Sequence, residues 1–137
     1  MTFVAQSNLL DSHTLLGRLQ LVEGMHVADL GCGGRGHFVF SVAPKVGEYG
    51  KVYAVDVLPY ALEAINAHSR ATNTNHVHTV WGDLEHPMPL AIPEASVDRV
   101  LLVNTLFQTK ERLSVLEKAR RLLKPKGLVL VVDWKLE

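Results

Sequence analysis

The chain has 137 residues, 14 basic and 14 acidic side chains that cancel, seven histidines and one cysteine. That length predicts a single domain, 1–137, able to bury about two-thirds of its unfolded surface. Balanced charge leaves no footprint for nucleic acid or anionic membrane, one cysteine excludes an internal disulfide, and no leader or membrane-spanning run is visible, so a soluble cytoplasmic protein is expected.

Leu9, Leu10, Leu15, Leu16 and Leu19 recur at near-helical spacing, which predicts an amphipathic helix over 7–20, ended by Gly24. Met25–Leu30 is a first strand, and Gly36 to about Val46 a helix whose last turn Pro44 shapes. Lys51–Asp56 follows as a second strand, then a helix over Pro59–Ala71 with its proline at a permitted first-turn position. His76–Trp81 reads as a third strand, and Pro87, Pro89 and Pro93 keep 82–95 an extended loop. Val97–Val103 is a fourth strand, fully apolar after Arg99, Lys110–Leu123 a helix and Leu128–Trp134 a fifth strand. Strands alternating with helices predict a Rossmann-like, three-layer α/β/α fold around a parallel sheet. Right-handed crossovers set its order at 3-2-1-4-5. Ligands bind past the strand carboxyl ends where the winding reverses, between strands 1 and 4.

The segment Val27 to Phe38, V-A-D-L-G-C-G-G-R-G-H-F, lies at that reversal. An apolar strand ends, glycines at 31, 33 and 36 fit G-x-G-x-x-G, and a helix begins, which lets the backbone approach a nucleotide-like ligand. Asp56 closes the second strand twenty residues after Gly36, where an acid can take two ribose hydroxyls. Asp29 separates two cofactor classes. An acid two residues before the turn repels a pyrophosphate, which argues against a nicotinamide-dependent oxidoreductase. The same acid suits the cationic part of S-adenosyl-L-methionine, which carries no phosphate, while turn amides suit its carboxylate. S-adenosyl-L-methionine is therefore the expected cofactor.

Five segments come in order: V-A-D-L-G-C-G (27–33), K-V-Y-A-V-D (51–56), W-G-D-L-E (81–85), S-V-D-R-V-L-L-V-N-T-L-F (96–107) and R-L-L-K-P-K-G-L-V-L-V-V-D-W (121–134). With them the chain resembles a class I S-adenosylmethionine-dependent methyltransferase over almost its whole length. The branch is the one containing ubiquinone/menaquinone-type and arsenite methyltransferases. The turn is one residue longer than the family's usual G-x-G-x-G, at Gly34-Arg35-Gly36. The chain also stops where that family adds two strands and a helix, so the expected sheet is truncated after strand 5.

The turn and the resemblance together imply a cofactor site of Asp29, Gly31, Cys32, Gly33, Gly36, His37, Asp56, Val57, Leu58, Gly82, Asp83, Leu84 and Asn104. The three motif glycines pass the backbone under the methionine and ribose, or make an ordinary tight turn. Asp56 holds the ribose, or caps the following helix. Val57 and Leu58 sandwich the adenine, and Asp83 accepts from the adenine amine or is a solvated loop acid. Cys32 reads as a small turn filler rather than an activated nucleophile. Asn104 opens the loop where the methyl group points, as a contact to the methionine part or as a turn or cap residue. Asn104, Leu106 and Phe107 are the expected acceptor-site residues, with His37, Asn8 and His13 as lid elements.

No residue stands out as a catalytic base, and the histidines lack metal-ligand spacing, so no metal is expected. The expected activity is methyl transfer to an unidentified acceptor, a small molecule ahead of RNA, with arsenite disfavoured by the lone cysteine. The alternative is a cofactor-binding module catalytically incomplete on its own. Leu128–Trp134, an apolar edge without lysine or proline until its end, leads to the expectation of a homodimer through that strand or the helix at 110–123.

Overall fold

The computed structural model describes residues 2–5 and 12–133, with residues 2–5 and Ser12 as backbone alone. Among the described residues, six strands make one sheet: β1 (Thr2–Ala5), β2 (His26–Leu30), β3 (Lys51–Asp56), β4 (Val77–Trp81), β5 (Val97–Val103) and β6 (Leu123–Asp133). Four helices connect them, α1 (Ser12–Arg18), α2 (His37–Val46), α3 (Pro59–Ala71) and α4 (Arg112–Leu122). Every strand pair is parallel, in the order β1-β6-β5-β2-β3-β4. Strands β2 to β6 are the five predicted ones, and their order is the expected 3-2-1-4-5.

The near-continuous apolar runs of the central strands follow from burial on both faces. Side chains alternate between two cores. Val27, Val52, Ala54, Leu101, Leu130 and Val132 face one, filled by Leu15, Leu16 and Leu19 of α1 and by Val39, Val42 and Val46 of α2. Ala28, Leu30, Tyr53, Val55, Val100, Leu102 and Val131 face the other, closed by Val115, Ala119 and Leu122 of α4 and by Leu84, Leu90 and Ile92 of the proline-rich loop. That loop stands where a helix would otherwise cover β3 and β4. At the amino ends of the strands, Asp98 accepts from the His26 N–H at 2.9 Å and pairs with Lys124 at 3.1 Å. Charge there marks the end opposite the expected site.

Several boundaries differ from the sequence reading. Helix α1 covers Ser12–Arg18 of the predicted 7–20, and residues 7–11 lie outside the described ones. Strand β6 starts at Leu123, directly after α4, and Trp134 lies outside the described residues. Its register jumps from Val97↔Leu123 to Arg99↔Leu128, so Lys124-Pro125-Lys126-Gly127 bulges out and the ladder resumes at the predicted start. The expectation of an unpaired Leu128–Trp134 edge is corrected. Thr2–Ala5 pairs with Leu130–Asp133 in parallel, in register Thr2↔Leu130 through Ala5↔Asp133. The homodimer expectation loses its open edge over those residues, because the chain's own first strand occupies it. No helix among the described residues is long and apolar enough to cross a membrane.

Candidate functional site

The winding reverses between β2 and β5, and a cleft of about 390 Å³ opens at the carboxyl ends of the strands there. Gly31 and Gly33 enter from the turn after β2, Asp56, Val57 and Leu58 from the end of β3, and Gly82, Asp83 and Leu84 from the end of β4. Val103 and Asn104 close it from β5. Val103 and four further lining residues escaped the sequence reading as site residues: Glu85, Thr105, Gln108 and Thr109. A larger groove of about 610 Å³ runs between α4 and the first half of β6. It lies away from the strand carboxyl ends, and neither the glycine turn nor any of the three cleft carboxylates reaches it.

The glycine turn is joined to β3. The N–H groups of Gly31 and Cys32 both donate to the Val55 carbonyl, at 2.8 and 3.0 Å, and the Gly33 N–H donates to Asp56 Oδ2 at 2.9 Å. These three amides are therefore not open donors for a ligand carboxylate, as the sequence reading has them. Gly33 has φ +69 with open space where a Cβ would stand, so its missing side chain leaves room on the cleft side. Gly36 is different: at φ +58 a Cβ would run into Phe40 and Ile65, and the residue is buried between α2 and α3. It packs helices and does not line the cleft.

Asp56 is half-buried, and its second oxygen accepts from the Leu58 N–H at 3.0 Å. It thus orders the segment leading into α3 and also faces the cleft. Two protein donors leave lone pairs open on the cleft side. Trp81, exposed at the end of β4, donates its indole N–H to the Val57 carbonyl at 2.8 Å and fixes the segment carrying Val57 and Leu58. Asp83 Oδ1 accepts from the Glu85 N–H at 3.0 Å, so the acid is held by its own turn.

Beneath the turn lies Asp29, 2% exposed. Burial, and secondarily the charge of Asp56, push its carboxyl up to about 7. Burial with the two neighbouring acids pushes the Cys32 thiol up to about 12, so it stays protonated and unreactive near neutral pH. A cation in the cleft would relieve the two carboxylates. On the far wall Asn104 adopts a left-handed turn at φ 56, a conformation asparagine tolerates, with its N–H on the Val132 carbonyl at 2.7 Å. The buried Thr105 hydroxyl donates to the Leu30 carbonyl at 2.8 Å, and its oxygen lies 2.9 Å from where a Gly31 Cβ would stand.

A family model described as a methyltransferase domain matches residues 21–137. The chain belongs to the class I S-adenosylmethionine-dependent methyltransferases. A demethylmenaquinone methyltransferase of Lactococcus lactis is 29% identical over 116 residues, 85% of this chain and 44% of that protein. An Aquifex aeolicus SAM-dependent methyltransferase structure superposes with a TM-score of 0.82 at 28% identity, over 93% of this chain and 65% of that one. A coclaurine N-methyltransferase bound to N-methylheliamine and SAH superposes at 0.73 with 30% identity, over 87% of this chain and 33% of that one. The methyltransferase domain spans about half the length or less of the curated relatives it matches.

The residues fit the family's cofactor, S-adenosylmethionine. Asp56 keeps acceptor capacity, Gly33 leaves space, and the buried Asp29 carboxyl would be favoured by a nearby cation. Other sequence-marked residues sit elsewhere in the methyltransferase domain. His37 is exposed at the start of α2, edge-on to Phe38 at 5.3 Å between ring centroids. Leu106 packs against the core under α4, and Phe107 is exposed with its N–H on Asp133 Oδ2 at 2.8 Å; neither lines the cleft. His13 is exposed on α1, and Asn8 lies outside the described residues. No cluster of three metal-ligating side chains occurs among the described residues.

Proposed function

We propose that the domain transfers a methyl group from S-adenosylmethionine to a small, uncharged or cationic acceptor. The observation that carries this reading is the charge of the cleft. Its lining holds three carboxylates, Asp56, Asp83 and Glu85, and no lysine, arginine or histidine among the described residues. A phosphate backbone would meet repulsion there, which favours a small molecule over RNA. Asp56 takes the ribose hydroxyls with its free lone pairs, Val57 and Leu58 cover the adenine, and Asp83 accepts from the adenine amine. Asp29 favours the ammonium end from below the turn. Bound S-adenosylmethionine supplies an electrophilic methyl on a good leaving group. The chain's own contribution is orientation, which can remove about 7–11 kcal/mol of a bimolecular barrier. The acceptor enters past Asn104, Gln108 and Thr109 and brings its own nucleophilic atom, since these side chains are not bases at neutral pH.

Calorimetry with S-adenosylmethionine and S-adenosylhomocysteine, followed by turnover with a panel of phenols, quinols, amines and an RNA, tests the reading. Binding with turnover of a small ring or amine supports it, and turnover of RNA alone overturns the acceptor class. Binding without turnover of any acceptor supports the second reading, a cofactor-binding module that needs further polypeptide to enclose its acceptor. The exposure of Val57 and Leu58 in the cleft favours that reading.

A further inference from the structure

We propose that Glu85 is a positioning residue that couples the cofactor side of the cleft to the loop on its acceptor side. The inference rests on the methyl-transfer reading of the site. The two walls come from separate parts of the chain, residues 82–85 after β4 and residues 103–109 after β5. What joins them is α4, whose N-terminus has no side-chain cap of its own. Glu85 holds the two residues that lead into it, from 25 residues upstream. Its Oε1 accepts from the N–H of Lys110 at 2.6 Å and of Glu111 at 3.0 Å. A carboxylate at that place also meets the positive end of the helix.

The contacts on either side make the joint continuous. The Ser114 hydroxyl donates to the Leu84 carbonyl at 3.1 Å, and the buried Lys118 ammonium donates to the His86 carbonyl. Three consecutive residues, 84 to 86, thus each hold α4. On one side Glu85 is tied to the adenine-side acid, through its N–H on Asp83 Oδ1. On the other, α4 follows directly from the loop carrying Gln108 and Thr109. Gln108 donates to the Asn104 carbonyl at 2.9 Å, and Arg112 Nε reaches back to the Leu106 carbonyl at 3.0 Å. A ligand that orders Asp83 therefore reaches the acceptor loop through Glu85, the one of these contacts that holds residues 110 and 111. Reach decides the effect. Gln retains an acceptor oxygen at the same distance, whereas Asp keeps the charge but is one methylene too short.

Hydrogen exchange of the intact chain, with and without S-adenosylhomocysteine, reads the coupling in wild type, Glu85→Ala, Glu85→Asp and Glu85→Gln. In wild type and Glu85→Gln the ligand slows exchange at 82–86 and also at 109–113. In Glu85→Ala and Glu85→Asp protection at 82–86 persists and protection at 109–113 is lost, with affinity weaker by about fivefold or more. Undiminished protection at 109–113 in the Ala or Asp variant overturns the proposal, and so does a Gln variant that behaves like Ala. Should the Ala variant fail to fold, the Asp and Gln pair decides, because a purely electrostatic role gives the opposite order. No binding to wild type refutes the methyltransferase reading together with the coupling, and the wild-type titration alone identifies that case.

Discussion

Replacing Asp29 by Asn tests whether this acid serves the ligand at the expense of the empty fold. The folded carboxyl, 2% exposed, titrates at about 7 against 3.8 in an open chain. No hydrogen bond from the described residues reaches it, so burial dominates, with the charge of Asp56 second. A rise of that size corresponds to about 4 kcal/mol against the ionised folded form. The sign follows from the raised folded value: the favourable term is complete below about pH 4 and is lost as pH rises through about 7. Asn removes the charge but leaves amide donors to satisfy, at about 1–3 kcal/mol. At pH 8 the ligand-free variant should therefore be more stable than wild type by about 2 kcal/mol, or about 6–8 °C in Tm. The gap should close at about pH 5 and reverse, to about 2 kcal/mol in favour of wild type, towards pH 4. His26, His78 and Asp98 also titrate away from their ordinary values, but they are common to both proteins and cancel in the difference. S-adenosylmethionine affinity should fall by about tenfold or more in the same variant. Urea melts across the pH range and calorimetry at pH 8 decide it. A variant no more stable than wild type at pH 8, or a gap independent of pH, would refute the reasoning.

Asp56→Ala should weaken S-adenosylhomocysteine binding by about ten- to hundredfold, from the loss of charge-assisted bonds of about 1.5–3 kcal/mol. It should also lower Tm, because the Gly33 and Leu58 amides lose their acceptor; calorimetry showing unchanged affinity in a folded variant would remove the ribose role. Gly33→Val, strained at φ +69, should lose some stability and fail to bind, whereas Gly31→Val should lose more, since besides φ +86 its Cβ meets the Thr105 hydroxyl at 2.9 Å. Equal melting curves for the two variants would contradict that distinction. Cys32, with its thiol near 12, should resist iodoacetamide at pH 8, where only about one part in ten thousand is thiolate; rapid alkylation of the folded chain would show the thiol to be less shielded.

The central strands β2, β3 and β5 are legible because burial on both faces writes them as apolar runs, as in Val52–Val55 and Val100–Leu102. The first strand is not. Four residues, T-F-V-A, carry no pattern strong enough to announce a strand, and only pairing with Leu130–Asp133 makes it one. The start of β6 is hidden for the opposite reason, since Lys124-Pro125-Lys126-Gly127 reads as a break while the structure bulges it out of a continuing strand. In the cleft, the residues found by sequence sit at strand ends and glycines, which local pattern marks. Trp81, Glu85 and Thr105 act through bonds to residues 24, 25 and 75 positions away, and no local spacing encodes such distances.

The glycine turn shows how the glycines of one motif can do different physical work. Sequence alone gives Gly31, Gly33 and Gly36 one common task, close passage of the backbone beneath a ligand. In the fold Gly31 makes room for Thr105, Gly33 leaves open space on the cleft, and Gly36 lets α2 pack against Ile65 of α3. The amides of Gly31, Cys32 and Gly33 bind β3 and its terminal acid instead of standing free. The turn and Asp56 are therefore one unit. A ligand hydroxyl donating to Asp56 competes with, or adds to, the bond that holds Gly33, so ribose recognition and turn geometry are not independent. Substitutions at Asp56 and Gly33 should for that reason be non-additive in binding, as expected for residues that share a hydrogen bond.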